Sequence, residues 1–438
     1  VLEESLKSRR SSSHLILTFI PLCMVFLLCA CKEEKTAETS RQVPVKDYSA
    51  KSAPTVPAEE GPLTPSPAEP AKPKPAPDPL SDIFTQNGGG EGAGATSGPS
   101  LQGARGSTGT ASYAVVRVFY ATDRNRSGLS KPADFYGNDR GALEFGMCSV
   151  SIPRDHKMGE LEAPSILKLE FREDPSKHVV LTRVEPRSVD QFVAALRERV
   201  ASSHRNEAFV FIHGYNVSFE DAARRTGQLA YDLGFDGAPI LYSWPSRAQE
   251  KGYPQDETNV EWTAPHLKNF LLDVASRSGA KTINLIAHSM GNRALTVALK
   301  DIAQTQPAAQ LPMFHQVVLA APDIDADVFK SLATVIHRSS QRITLYASSN
   351  DKALLLSKQF HGYPRAGDSG HGIVVVPEID TIDASAVDTS FLGHSYYGDN
   401  RSILSDVFHL FKTGDPPERR FGIKVGTVSG SRHYVFRP

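Results

Sequence analysis

The sequence predicts an α/β fold in which helices cover both faces of a mostly parallel sheet. From about residue 188 onward, short apolar runs alternate with stretches whose apolar residues recur at helical spacing. This alternation is typical of parallel strands joined by crossover helices. Between residues 113 and 184 the apolar runs follow one another without helical stretches, which predicts antiparallel strands at the start of the sheet.

Periodicity and capping residues place the elements in order. The predicted strands are 113–121, 145–152, 167–171, 178–184, 209–212, 239–244, 283–286, 317–320, 343–347, 373–376 and 379–382. Helices are predicted after the capping residues Ser188 and Ser218 and over 267–274, 292–300, 328–335 and 402–412. A polar loop with Tyr253 and Trp262 is expected before the helix at 267–274. The residues from Phe421 onward are β-like and have no predicted place in the sheet.

The chain around Ser289 has the features of a nucleophile elbow. A buried strand is predicted to end at Ala287-His288-Ser289-Met290-Gly291, and a helix follows directly. A turn of this kind strains the serine backbone and lifts its hydroxyl clear of the sheet, while small neighbours let strand and helix approach. The usual motif is G-x-S-x-G, and Ala287 takes the first small position here.

Two further groups follow predicted strands and complete a catalytic triad with Ser289. Asp351 follows the strand at 343–347, and His394 follows the strand at 379–382. A serine hydroxyl becomes a nucleophile when a histidine takes its proton, and a carboxylate orients that histidine. The order Ser289, Asp351, His394 is that of the triad in α/β hydrolases.

Other residues compete for these roles. The alternatives are Asp323 and Asp325 for the acid, and His361 and His371 for the base. Asp325 is more simply explained as a helix N-cap. His288 is expected to be a packing residue, and His213 is expected to shape its turn.

The oxyanion formed during acyl transfer needs N–H donors beside the nucleophile. We expect the backbone N–H groups of Met290, which follows Ser289, and of Tyr215, in the H-G-x sequence after an earlier strand. Tyr253, Trp262 and Tyr242 are candidates for lining an acyl pocket.

Composition excludes several other classes of function. The 438 residues carry a formal net charge of −1, which gives no reason to expect nucleic acid as a partner. The sequence contains no H-E-x-x-H and no G-x-G-x-x-G after a strand, so it predicts no metal and no organic cofactor. Cys148 is alone beyond residue 31, so no disulfide is expected there.

The first 31 residues are predicted to be a secretory signal. Basic residues precede the uncharged run from Leu15 to Ala30, and Cys31 follows it. This pattern resembles a bacterial lipoprotein signal, in which Cys31 is lipidated, although Cys29 is an unusual lipobox residue. An uncleaved membrane anchor is the alternative, but about 20 apolar residues are needed to span a bilayer. Both interpretations place the body in the cell envelope on a membrane tether, and the resemblance implies the outer membrane.

The sequence divides into three regions: the signal at 1–31, a linker at 32–111 and a folded domain at 112–438. The linker is rich in Pro, Ala and Glu and then in Gly and Ser. Such a composition buries too little apolar surface to offset the entropy lost on ordering. We therefore expect a disordered spacer between the membrane and the folded domain.

The folded domain resembles a bacterial α/β-hydrolase family of unknown function from Val115 to about Phe411. The motifs that carry the resemblance are FYATDRN, FGMCSVSIPRDH, FVFIHGYNVSFEDAARRTGQLAYDLGF, YSWPS, LIAHSMGNRAL, APDID and LGHSYYGD. The resemblance implies a serine hydrolase fold with a site that cleaves an ester or related acyl bond, and it does not identify the substrate. We expect a small-molecule or lipid-like acyl substrate. A hydrolase-like binding or scaffold protein without activity, and an acyltransferase with the same triad, are the alternatives.

Overall fold

The structure is a computed structural model and describes residues 112–165, 170–369, 372–387, 401–428 and 430–437. The signal, the linker, most of the predicted strand at 167–171, and residues His371 and His394 lie outside the described residues. None of the described helices combines the length and apolar content needed to cross a bilayer.

Eleven strands are found within the described residues. They are β1 (Tyr113–Arg126), β2 (Tyr136–Pro153), β3 (Val180–Arg187), β4 (Glu207–Ile212), β5 (Ala238–Ser243), β6 (Thr282–His288), β7 (Phe314–Ala320), β8 (Ser340–Ala347), β9 (Ile379–Asp383), β10 (Ile423–Val428) and β11 (Ser431–Phe436). The helices are α1 (Val189–Ser202), α2 (Phe219–Asp232), α3 (Tyr253–Arg277), α4 (Gly291–Thr305), α5 (Ala326–Ile336), α6 (Lys352–His361) and α7 (Arg401–Thr413).

All the described strands belong to one sheet, in the order β10-β11-β9-β8-β7-β6-β4-β5-β1-β2-β3. The run from β11 to β1 is parallel throughout. Only the edge pairs are antiparallel: β1–β2 and β2–β3 at one side, and β10–β11 at the other. The predicted fold class, with antiparallel strands at the N-terminal side, is confirmed.

Apolar side chains cover the sheet on both faces. One buried cluster joins the sheet to α1, α3, α4 and α5, and a second joins the opposite face to α2 and α7. The strands β4 and β5 in the middle of the sheet are buried along their whole length, as expected when helices cover both faces. The carboxyl ends of the parallel strands therefore form one edge on which loops can assemble a site.

Three sequence predictions about elements were incomplete or wrong. Residues 373–376 form no strand. The loop expected around Tyr253 is the first part of α3, where polar side chains such as Asp256 and Asn259 are buried against the chain after β5. Their burial hides the apolar period that marks a helix. The unplaced tail forms the β10–β11 hairpin, and β11 pairs in parallel with β9.

Candidate active site

The turn between β6 and α4 consists of Ser289 and Met290. Ser289 has a φ of +49°, a left-handed conformation that is strained for a residue with a side chain. Hydrogen bonds hold the turn in place: the Ser289 N–H donates to the Ala320 carbonyl over 2.9 Å, and the Ser289 carbonyl accepts from Asn292 Nδ2 over 3.0 Å. This is the backbone geometry of a nucleophile elbow.

Two glycines allow the loop after β4 to lie directly against this turn. A Cβ added to Gly291 would come 2.3 Å from the His213 carbonyl oxygen, and one added to Gly214 would come 3.0 Å from Ser289 Cβ. Neither distance leaves room for a methyl group. The chain that carries Tyr215 therefore passes immediately beside Ser289.

The two amides proposed to hold the oxyanion differ from their neighbours in hydrogen bonding. The Asn216 N–H donates to Asp256 Oδ2 and the Val217 N–H donates to Ser246 Oγ. Within the described part of the chain, the N–H groups of Tyr215 and Met290 have no acceptor. Met290 precedes the first turn of α4, where N–H groups have no partner inside the helix. Among the described residues, therefore, nothing occupies either N–H group.

Asp351 begins α6, just after the end of β8. Its Oδ1 accepts hydrogen bonds from the N–H groups of Ala353 (2.9 Å) and Leu354 (3.0 Å), so it is the N-cap of α6. The preceding residues are fixed to the loop after β9: the Ser349 N–H donates to Ser385 Oγ over 2.8 Å, and Asn350 Nδ2 donates to the Ser385 carbonyl. The chain from Ser385 leads into residues 388–400, where His394 lies outside the described residues.

Residues 188–409, just over half of the chain, match the family model described as "Alpha/beta hydrolase of unknown function (DUF900)". The chain belongs to this family. The matched range contains all three residues of the predicted triad. No curated protein matches this hydrolase.

Solved structures similar to this hydrolase include two of phospholipase PlaB from Legionella pneumophila, one of them in complex with thio-NAD. The sequence identities are 12% for the complex and 11% for the other structure, with TM-scores of 0.26 and 0.27. Both alignments cover 53% of this chain, and they cover 67% and 68% of the phospholipase chain. A likeness this weak carries no argument about the substrate of the hydrolase.

Asp323 and Asp325, the alternatives to Asp351 as the acid of the triad, both bind other groups of the protein. Asp323 is buried and forms ion pairs with Arg365 (2.9 Å) and Arg293 (3.4 Å). Burial alone would raise the pKa of Asp323, but the two guanidinium charges hold it below its usual range. Asp325 accepts from the first N–H groups of α5 and caps that helix, as the sequence predicts.

The described histidines among the candidates, His213, His361 and His288, each pack against or bind other residues of the protein. His213 is buried and stacks on Trp244 at a ring distance of 5.0 Å. Burial and the nearby Arg124 charge lower the pKa of His213 to about 3, so the ring is neutral at physiological pH. His361 lies with Nε2 2.8 Å from Glu257 Oε1 and Nδ1 2.8 Å from the Ser357 carbonyl. His288 is buried beside Gly214.

Of the three candidate pocket aromatics, only Tyr253 lies beside the site. Its ring packs edge-on against Tyr215 at 5.1 Å, and its hydroxyl donates to Asp323. Tyr242 is completely buried among core residues, and Trp262 packs against Arg140. Tyr242 is therefore a core residue, and the described contacts of Trp262, with Arg140 and His266, do not include the turn at Ser289.

Sequence reasoning missed a polar network that connects the helices around Ser289. Arg293, one turn into α4, donates to the Asp323 carbonyl, to Glu257 and to the Tyr253 hydroxyl. Its position four residues after Ser289 is the only signal in the sequence, and its partners are recognisable only in the fold. Among the described residues, no group of three or more His, Cys, Asp or Glu side chains could hold a metal ion.

Proposed function

We propose that this α/β hydrolase is a serine hydrolase that cleaves an ester or related acyl bond through an acyl-enzyme. The observation that carries the proposal is Ser289 itself: a left-handed residue between strand and helix, with the Tyr215 and Met290 amides beside it. A strained, non-glycine residue at this position is expected where the strain serves a reaction.

In the proposed reaction, Ser289 Oγ attacks the substrate carbonyl carbon while His394 takes the hydroxyl proton. The carbonyl oxygen becomes an oxyanion that accepts hydrogen bonds from the N–H groups of Tyr215 and Met290. Asp351 fixes the orientation of the imidazole. Collapse of the tetrahedral intermediate breaks the bond to the leaving alcohol, which receives the proton from His394. Water, deprotonated by His394, then releases the acid and restores Ser289.

The residues before the described domain supply the proposed location. We infer that the apolar run from Leu15 to Ala30 directs export, that Cys31 is lipidated, and that the linker at 32–111 joins the lipid to the hydrolase domain. A single lipid chain gives only marginal membrane binding, so stable anchoring requires more than one chain. The proposed location is the cell envelope, on the outer membrane.

The decisive experiment is the Ser289→Ala variant. We expect p-nitrophenyl ester hydrolysis by the full chain to fall to background in this variant, with an unchanged melting temperature. A fluorophosphonate probe should label the wild-type protein at Ser289 and leave the variant unlabelled. Full esterase activity in the variant would eliminate the mechanism, and a folded wild-type protein that takes no label would favour the binding or scaffold function. If an added alcohol diverts product from the acid to a new ester, the protein is an acyltransferase.

A further inference from the structure

Arg124 lies near the C-terminal end of β1 and is 1% exposed. Each of the three guanidinium nitrogens has an oxygen acceptor within the protein, and Nη2 also lies 3.4 Å from His213 Nε2. The acceptors are Ser243 Oγ (2.9 Å) for Nε; Asn138 Oδ1 (2.9 Å), the Ser246 carbonyl (3.0 Å) and the Gly137 carbonyl (3.3 Å) for Nη1; and the Val217 carbonyl (2.7 Å) for Nη2. One planar group thus joins β2, the loop after β4 and the loop after β5.

The charge of Arg124 has no carboxylate in direct contact among the described residues. Burial lowers the pKa of Arg124, and the more distant charges of Asp256 and Asp123 limit the change, so that it lies at about 10. The side chain is therefore a cation at neutral pH. A buried cation held only by neutral acceptors is expensive in free energy.

The loop Gly214–Val217, which we call the β4 loop, is held at several points. Arg124 binds the Val217 carbonyl from one side. On the other side, Ser246 Oγ accepts from the Val217 N–H over 3.1 Å and donates to Asp256 Oδ2 over 2.6 Å. Asp256 also accepts from the Asn216 N–H. Asn216 has a φ of +58°, a left-handed conformation that asparagine adopts more readily than most residues, and these contacts hold the loop in it.

The loop carries the Tyr215 N–H, which has no acceptor in the described part of the chain. An oxyanion donor contributes only when its N–H already points at the place where charge develops. We propose that Arg124 is a positioning residue for hydrolysis: its guanidinium fixes the β4 loop so that the Tyr215 amide faces the oxyanion. This inference rests on the proposed serine hydrolase function and assigns a role within it to the TDRN sequence at 122–125.

Arginine is required at this position because of its shape. The planar guanidinium presents five donors in a fixed fork, whereas a lysine ammonium is a compact charge with three donors. Lysine at position 124 would keep the charge but could not bind Ser243, Ser246 and Val217 together. The arrangement therefore predicts that Arg124→Lys fails to preserve the reaction rate.

The test compares Arg124→Lys and Arg124→Gln with Arg126→Lys and Arg126→Gln. Arg126 lies two residues further along β1, is exposed, pairs with Glu144 on β2 and lies over the Phe135 ring. Misplacing a catalytic group by about 1 Å can lower a rate by about 10²-fold. We expect kcat for a soluble p-nitrophenyl ester to fall 30- to 100-fold, on the order of that effect, in both Arg124 variants. KM should change less than about twofold, and both Arg126 variants should match the wild type.

A boronic acid inhibitor separates positioning from a general loss of structure. Boronates form a tetrahedral, negatively charged adduct on a serine, and the adduct places an oxygen where the oxyanion forms. Boronate affinity should therefore fall by the same factor as kcat/KM in the Arg124 variants, while the melting temperature shows that the proteins are folded. Rates and boronate affinities equal to those of the wild type would overturn the inference.

Ser246→Ala provides the second variant if the Arg124 variants do not fold. It removes one hydroxyl that links the Val217 N–H to Asp256, and we expect kcat to fall about tenfold at constant KM, a smaller effect of the same misplacement. Unchanged kcat in folded Ser246→Ala would overturn the inference. Ester hydrolysis that survives Ser289→Ala would instead refute the proposed function, so the two failures are distinguishable.

Discussion

Asp351 offers a test that separates catalysis from stability, because its carboxylate caps a helix and is also the proposed acid of the triad. Asparagine caps a helix as well as aspartate does, whereas alanine loses about 1 kcal/mol of stability. Asp351→Asn should therefore keep the two hydrogen bonds that Oδ1 accepts from Ala353 and Leu354. Its free energy of unfolding should equal that of the wild type, and Asp351→Ala should lie about 1 kcal/mol lower.

Ester turnover, unlike stability, should be lost in both Asp351→Asn and Asp351→Ala. An amide in place of the triad carboxylate holds the wrong histidine tautomer, and the equivalent exchange in a serine protease lowers kcat by about 10⁴-fold. We therefore expect Asp351→Asn to lose between about 10³- and 10⁴-fold in kcat, and Asp351→Ala to lose a similar factor. The assay is ester turnover and urea unfolding measured on the same samples. Asp351→Asn with full turnover would refute the assignment of the acid.

Asp323 is the matched control, because it is a buried carboxylate that follows β7, the strand next to β8 in the sheet. Asp323→Asn removes the carboxylate that pairs with Arg293 and Arg365. Arg293 keeps its ion pair with Glu257, whereas Arg365 loses its carboxylate partner. Breaking a buried pair in this way costs about 3–5 kcal/mol of stability. The expected pattern is thus a stable, inactive Asp351→Asn and a destabilised Asp323→Asn that keeps turnover while it remains folded. The reverse pattern of activity would make Asp323 the acid.

Two further predictions concern an ion-pair network at the end of α2 and the packing of Gly291. Burial opposes protonation of His156, but hydrogen bonds to Asp232 and Glu162 raise its pKa to about 9. Protonation of His156 therefore stabilises the folded state by about 3 kcal/mol. This stabilisation should be complete below about pH 6.5 and lost as pH rises through 9. The free energy of unfolding in urea should be lower at pH 10 than at pH 6, and the His156→Gln variant should lack this difference. An equal difference in the variant would contradict the assignment of the pH dependence to His156. Gly291→Ala should lower stability by about 1–3 kcal/mol and reduce ester turnover, because its Cβ would lie 2.3 Å from a backbone carbonyl. Gly372→Ala, where a methyl meets open space, is the control for the melting temperature and turnover, and equal values for both variants would contradict the clash.

The parallel strands and crossover helices were predictable because each is marked by residues close together in the sequence. Each parallel strand is a short apolar run, and each crossover helix begins with a capping residue or a clear apolar period. The caps predicted at Ser188 and Ser218 are present, and Gln191 completes a capping box with Ser188. The β10–β11 hairpin was not predictable, because its place in the sheet depends on pairing with β9, about 50 residues earlier.

The site was only partly predictable, for a related reason. The elbow lies within consecutive residues, so the sequence contains all the information needed to recognise it. The supports of the β4 loop are far apart in the chain: Arg124, Ser246 and Asp256 become neighbours only when β1, β5 and α3 are assembled. The capping role of Asp351 was recognisable in the sequence, since aspartate directly before an apolar helix is an N-cap pattern, but a catalytic interpretation took its place.

The described histidines near Ser289 narrow the choice of general base. His213 is neutral, and both of its ring nitrogens lie close to backbone carbonyl oxygens. His361 is held between Glu257 and the Ser357 carbonyl, on the side of the site formed by α3 and α6. The loop that carries Asp351 is bonded instead to Ser385. Since a triad acid must lie beside its histidine, a triad with Asp351 as its acid calls for a base in a segment that adjoins Ser385. Two such segments leave the described residues there: the chain after Ser385, which leads to His394, and the chain after Ser369, whose Oγ lies 2.6 Å from Ser385 Oγ and which leads to His371. His394 therefore stays a prediction, with His371 as its alternative.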